Sequence, residues 1–172
     1  MPDIGLEVNM ARMNVELITT VKFSPKEIKT LGTWLEWAAI VVENLKKEGA
    51  FKRLPKNQQF HVSLLICGDL KIRQLNNDHR QKDKVTDVLS FPAGEITTLG
   101  DLAICHPQTK RQAKEFNIGY WDEFIHLFFH GLLHLSGYDH EVSEKEERLM
   151  QKWEDRALEL FSQQKGPKKS LT

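Results

Sequence analysis

Hydrophobic and polar positions change their period several times along the chain, and each change marks an element. The stretch Gly5-Leu-Glu-Val-Asn-Met-Ala-Arg-Met-Asn-Val-Glu-Leu17 alternates, as one or two strands near a sheet edge do. Ser24-Pro25 then offers a helix cap and a proline suited to the first helical position. Apolar residues follow at Leu31, Trp34, Leu35, Ala38 and Val42, so a helix is predicted to about Glu48, closed by Gly49. From Gln59 to Cys67 the pattern alternates and then becomes continuously apolar, which predicts a strand entering a core. Asp69 to Arg80 returns to helical spacing, with Asp69 as a candidate cap and Leu70, Ile72 and Leu75 as candidate inward positions.

Val85–Phe91 and Gly100–Cys105 read as two strands joined through the turn Pro92-Ala-Gly-Glu, and they are expected to pair. Pro107 restarts a helix to about Phe116, which Asn117 and Gly119 break. A strongly apolar helix is predicted from Trp121 to Leu135, ended by Gly137. Ser143-x-x-Glu146 is a capping box opening a charged helix to about Phe161. The basic tail from about residue 163 is expected to be flexible. No repeat or Gly/Ser-rich linker divides the chain, so residues 1–172 are expected to form one α/β (α+β) domain with a small mixed sheet.

Composition narrows the function more than the fold. At 172 residues, with 40% hydrophobic and 28% charged residues, the chain is long enough to bury a core without staples. Its net charge is zero, so binding to nucleic acid requires a local basic patch rather than a global field. Cys67 and Cys105 lie among apolar residues and read as small buried hydrophobes, not as a disulfide framework. There is no N-terminal apolar signal segment and no apolar stretch near the about 18 residues of a membrane span, so a soluble, cytoplasmic protein is expected.

The segment His126-Leu-Phe-Phe-His130-Gly-Leu-Leu-His134-Leu-Ser-Gly137-Tyr-Asp-His140 carries the chemistry. His130 and His134, one helical turn apart, project from one face and can share a cation. Gly137 can adopt the left-handed conformation that turns the chain back and brings His140 to the same point. Three neutral imidazoles suit one Zn2+ ion and leave a fourth position for solvent, the arrangement of a hydrolytic rather than a structural site. His126, one turn earlier, is read as an outer partner or a packed core residue, with ligation as the alternative. The spacing of His130, His134, Gly137 and His140 matches the metzincin protease motif H-E-x-x-H-x-x-G-x-x-H, but Gly131 stands where those proteases carry their general base. Peptide hydrolysis is therefore the second reading.

The segment from His130 to His140 resembles the signature of the YbeY family of bacterial metalloproteins. Two further tracts resemble the same family: Leu75-Asn76 with Arg80-Gln-Lys-Asp-Lys-Val-Thr-Asp-Val-Leu-Ser-Phe-Pro92, and Leu99-Gly-Asp-Leu-Ala-Ile-Cys105. Val85, His79 and Gln81 depart from the residues frequent there (Pro, Tyr and Gly), which bears on the local loop shape. The resemblance implies a compact fold with a mixed sheet of about four strands, zinc held by His130, His134 and His140, and Arg80 as a functional arginine. It further implies a single-strand-specific endoribonuclease of 16S rRNA 3′-end maturation and ribosome quality control. Its implied partners are single-stranded RNA, rRNA, the small ribosomal subunit and a ribosome-assembly GTPase.

Physical chemistry gives Arg80 two roles: a planar clamp on phosphate oxygens, or a cation closing a helix C-terminus. Lys82, Lys84, Lys110, Arg111 and Lys114 are candidates for the basic track that RNA needs. Asp139 reads as a turn residue capping backbone amides, with orienting a histidine or accepting a proton as the alternative, and Asp87 and Asp101 read as structural acceptors. No general base is identifiable. The third reading is a ribosome assembly factor whose metal is chiefly structural.

Overall fold

The computed structural model describes residues 6–9, 13–51, 59–94, 97–139 and 142–165. The strands are β1 (Leu6–Asn9), β2 (Met13–Thr19), β3 (Phe60–Cys67), β4 (Val88–Pro92) and β5 (Thr98–Cys105). They form one mixed sheet in the order β1-β2-β3-β5-β4, one strand more than the expected four or so. The inner strands β2, β3 and β5 run parallel, while β1 and β4 close the two edges antiparallel. Parallel neighbours need a crossover, and β2 reaches β3 through α1 (Pro25–Glu48). Ser24 caps that helix with a complete capping box to Glu27, and Gly49, at φ +88°, ends it in the left-handed conformation.

The helices α2 (Asp69–Arg80) and α3 (His106–Glu115) leave the C-terminal ends of β3 and β5. Beyond them lie α4 (Tyr120–Leu135) and α5 (Glu144–Gln164). One sheet face carries the main core, where Val15, Leu17, Val62, Leu64, Ile66, Leu102 and Ile104 meet apolar side chains of α1, α4 and α5. A smaller cluster of Cys67, Ile72, Leu89, Ala103 and Cys105 fills the opposite face. The cysteines are free and buried, as expected.

Four expectations shift. Leu70 faces solvent at 84% exposure. The helix starts from Gly68, and its inward positions are Ile72 and Asn76 rather than Leu70. Asp69 caps nothing and instead accepts from both the Arg111 guanidinium and the Cys105 thiol. β4 begins at Val88, not Val85, because the Asp87 side chain takes the Val88 amide and its carbonyl takes the Cys105 amide. At the C-terminus α5 continues to Gln164, and Lys165 pairs with Asp122 and lies over the Trp34 ring. The rest of the basic tail, residues 166–172, lies outside the described residues.

Candidate metal centre

Helix α4 is apolar on nearly every side, and its phenylalanines and leucines are sunk between sheet, α1 and α5, as such a helix must be. Only the stripe His126, His130 and His134 is half-exposed along its middle. The one-turn spacing brings the Nε2 atoms of His130 and His134 to 3.1 Å, with ring centroids 4.6 Å apart. The Nδ1 of His134 lies 2.9 Å from the Tyr138 carbonyl oxygen, which can only accept, so Nδ1 carries the proton. The Nδ1 of His130 lies 2.5 Å from Glu154 Oε1 on α5 and donates to that carboxylate. With both rings neutral, as metal ligation requires, the two Nε2 atoms present lone pairs to each other, a contact that a shared cation makes favourable.

The donor set fits zinc. With zinc–nitrogen bonds of about 2.05 Å, the 3.1 Å separation subtends roughly 100° at the metal, near the tetrahedral angle. The turn after α4 helps to hold this geometry. Gly137, at φ +103°, donates to the His134 carbonyl, and the Tyr138 amide returns to that of Leu133. Tyr138 is then buried, its hydroxyl donating to the Ala50 carbonyl at 2.6 Å, which fixes the carbonyl that orients His134. His140, the third expected ligand, lies outside the described residues. Among the described residues no three His, Cys, Asp or Glu side chains gather to hold a metal ion, so the described part of the centre is the His130–His134 pair.

Around this pair the other candidates separate. His126 Nδ1 lies 3.5 Å from Glu123 Oε2 on its own helix. The hydrogen bond to Glu123 raises the His126 pKa against the effect of burial. Arg80 ends α2 and donates from Nη2 to the Ser90 carbonyl at 3.4 Å, while the Ser90 hydroxyl donates to the Gly131 carbonyl at 3.4 Å. Two hydrogen bonds thus connect Arg80 to the residue after His130. The loop beyond Arg80 turns through Gln81 at φ +56° and is tied to buried Asn76, whose side chain donates to the Lys84 carbonyl. Lys82 and Lys84 are exposed on that loop, and Lys110 and Lys114 on α3. Arg111, also on α3, makes a two-pronged pair with Asp69 at the surface. Asp87 serves as a structural acceptor for the Val88 amide and Gln112. Asp139 is exposed beside the turn.

Gly131 faces the sheet. A Cβ there would stand 2.6 Å from Leu102 Cδ2 and 3.4 Å from Ser90 Oγ. The position at which metzincins carry their base is here the close contact between α4 and the sheet. Glu154 escaped the sequence reading, although a signal existed: it falls on the otherwise apolar stripe Met150, Ala157, Leu160 and Phe161 of α5.

A sequence model of the family described as Endoribonuclease YbeY matches residues 21–162. The chain belongs to the YbeY family. Endoribonuclease YbeY of Bdellovibrio bacteriovorus is 35% identical over 133 residues, covering 77% of this chain and 85% of the relative. That of Persephonella marina is 44% identical over 104 residues, covering 57% and 68%. That of Leptospira interrogans is 36% identical over 132 residues, covering 64% and 94%. A solution structure from Thermotoga maritima aligns with a TM-score of 0.55 at 22% identity, covering 92% of this chain and 99% of that one, which establishes a shared fold. The YbeY match spans both the α2–β4 region with Arg80 and the whole of α4.

Proposed function

We propose that this chain is a zinc-dependent endoribonuclease that cuts single-stranded RNA and acts in 16S rRNA 3′-end maturation and ribosome quality control. The observation that carries the reading is the His130–His134 pair, whose Nε2 atoms lie 3.1 Å apart while both Nδ1 atoms are engaged elsewhere. Family membership supplies the substrate class, since the relatives carry the name endoribonuclease. His130 and His134 would hold the ion together with His140. When bound, zinc acidifies a water and draws charge from a phosphoryl oxygen.

The chain's own residues contribute the rest. Arg80 offers a guanidinium at the sheet edge next to α4, suited to two oxygens of a phosphodiester and to the charge that grows on them. Exposed Lys82 and Lys84 extend positive charge from that point, which a chain of zero net charge needs in order to hold an RNA backbone. Peptide hydrolysis is disfavoured because Gly131 is pressed against Leu102 and no acidic base fits there. Among the described residues no helix is long and apolar enough to cross a membrane.

The test assays wild type, Arg80→Ala and His130→Ala on single-stranded and duplex RNA, with metal content measured for each. The expected result is cleavage of single-stranded RNA by wild type, zinc retained but cleavage lost in Arg80→Ala, and both lost in His130→Ala. Equal cleavage by all three proteins would remove the assignment. Wild type that binds zinc but cuts no RNA, with His130→Ala unfolded, would instead make the metal structural.

A further inference from the structure

The two histidines are oriented by unlike partners. His134 donates to a neutral carbonyl of its own turn, whereas His130 donates to a carboxylate brought in by a different helix. Glu154 is 6% exposed and occupies a position of α5 whose neighbours along the stripe are apolar. Burying a carboxylate there costs stability that an apolar side chain would have contributed, unless the group is hydrogen-bonded and paired. Its contact is the Nδ1–H of His130 at 2.5 Å.

We infer that Glu154 is a positioning residue of the metal centre, holding His130 with Nδ1 protonated and Nε2 turned to the ion. The inference rests on the zinc reading of the His130–His134 pair and deepens it. Two effects follow from the geometry. The hydrogen bond locks the tautomer, so that the nitrogen facing His134 is a lone pair. The negative charge 2.5 Å from Nδ1 makes the imidazole a better donor than His134, whose partner carries no charge. The arrangement also makes the docking of α5 on α4 part of the centre. Asp155, the next residue, bonds Gln151 on the exposed face of the same helix and lacks this role.

The full-length apo protein, titrated with Zn2+ against a chelating indicator, tests this in wild type, Glu154→Gln, Asp155→Asn and His130→Ala. Glu154→Gln keeps the side-chain shape and removes the charge. It is expected to bind zinc about 10–100-fold more weakly, while Asp155→Asn binds like wild type. Nitrogen-15 spectra of the apo protein are expected to show His130 as a single Nδ1–H tautomer in wild type and as a mixture in Glu154→Gln. A merely structural carboxylate would lower the apo melting temperature and leave tautomer and affinity in place. Zinc affinity in Glu154→Gln within twofold of wild type, with the tautomer unchanged, would overturn the inference alone. Wild type that binds no zinc, or His130→Ala that binds as tightly as wild type, would overturn the metal reading and the inference with it.

Discussion

Gly131→Ala separates two opposite expectations. Gly131 is in the interior of a helix, where alanine is favoured over glycine by about 0.8–1.0 kcal/mol. If only the helix mattered, the substitution would stabilise the protein. The added methyl, however, would lie 2.6 Å from Leu102 Cδ2 and 3.3 Å from Leu102 Cδ1, against about 3.5–4.0 Å for relaxed carbon contacts. Leu102 is 1% exposed and packed in the main core, so it cannot swing into solvent. Either Leu102 leaves its rotamer or α4 lifts from the sheet, an overpacking cost of about 1–3 kcal/mol. The expected net is a loss of about 1 kcal/mol, or roughly 2–4 °C in melting temperature for a chain of this size. Urea denaturation of Gly131→Ala, Leu102→Ala and the double variant measures it. In the Leu102→Ala background the clash is gone, so the same glycine substitution should become neutral or stabilising, giving a coupling of about 1–3 kcal/mol. A gain in stability from Gly131→Ala in the wild-type background would show that helix and sheet are not in close contact there.

Gly100→Ala should be worse, because Gly100 has φ +139° and a Cβ would come 2.2 Å from the Phe91 carbonyl oxygen. A loss above about 3 kcal/mol is expected, and an unchanged urea midpoint would contradict the placing of Gly100 between Val62 and Pro92. Tyr138→Phe strips the buried Ala50 carbonyl of its donor and should cost about 1–3 kcal/mol, with zinc affinity reduced through His134; stability equal to wild type would refute the bond. His106, buried beside the Tyr120 hydroxyl, has its pKa lowered by burial, then by Lys110. The folded protein therefore binds that proton less readily than the unfolded chain. The His106 contribution is intact above the unfolded value of about 6.5 and is lost as pH falls through the folded one. His126 has the opposite sign, since Glu123 raises it. Its contribution is intact below about 6.5 and is lost as pH rises through its folded pKa. Ring-proton titrations by NMR should place His126 above and His106 below the unfolded value, and the reverse order would refute both assignments.

The elements that the sequence announces most clearly are those with local punctuation. Ser24-Pro25 with Glu27, Gly49, and Ser143 before Glu146 each mark a helix end within a residue or two, because a cap is a contact between neighbours in sequence. Expectations slipped where a distant partner decided the outcome. Asp69 looks like a cap until Arg111 and Cys105, far along the chain, take its oxygens. The start of β4 depends on Asp87 reaching the Cys105 amide. The same holds for the proposed metal centre: the pair His130–His134 follows from one-turn spacing, but Glu154 becomes its neighbour only once α5 packs on α4. Arg111 gains its partner in the same way, since nothing near it in sequence reveals that it pairs with Asp69.

The burial of α4 also determines where the remaining chemistry must come from. A helix sunk on almost every side exposes one stripe, and that stripe is taken by His126, His130 and His134. The residue after His130 points about 100° around the helix, into the sheet, where Leu102 and Ser90 leave no room for a side chain. For the proposed nuclease, a proton acceptor or phosphate clamp therefore has to be delivered by other elements that border the stripe. Arg80 meets that requirement from the end of α2, joined to the helix through Ser90 and Gly131. On this argument Ser90→Ala should leave zinc binding intact and weaken RNA cleavage, since it severs the hydroxyl contact to α4 while the Ser90 carbonyl still accepts from Arg80. Cleavage kinetics and zinc titration on the same preparation decide it. A variant that cuts RNA at the wild-type rate would show that the clamp does not depend on the sheet-to-helix connection.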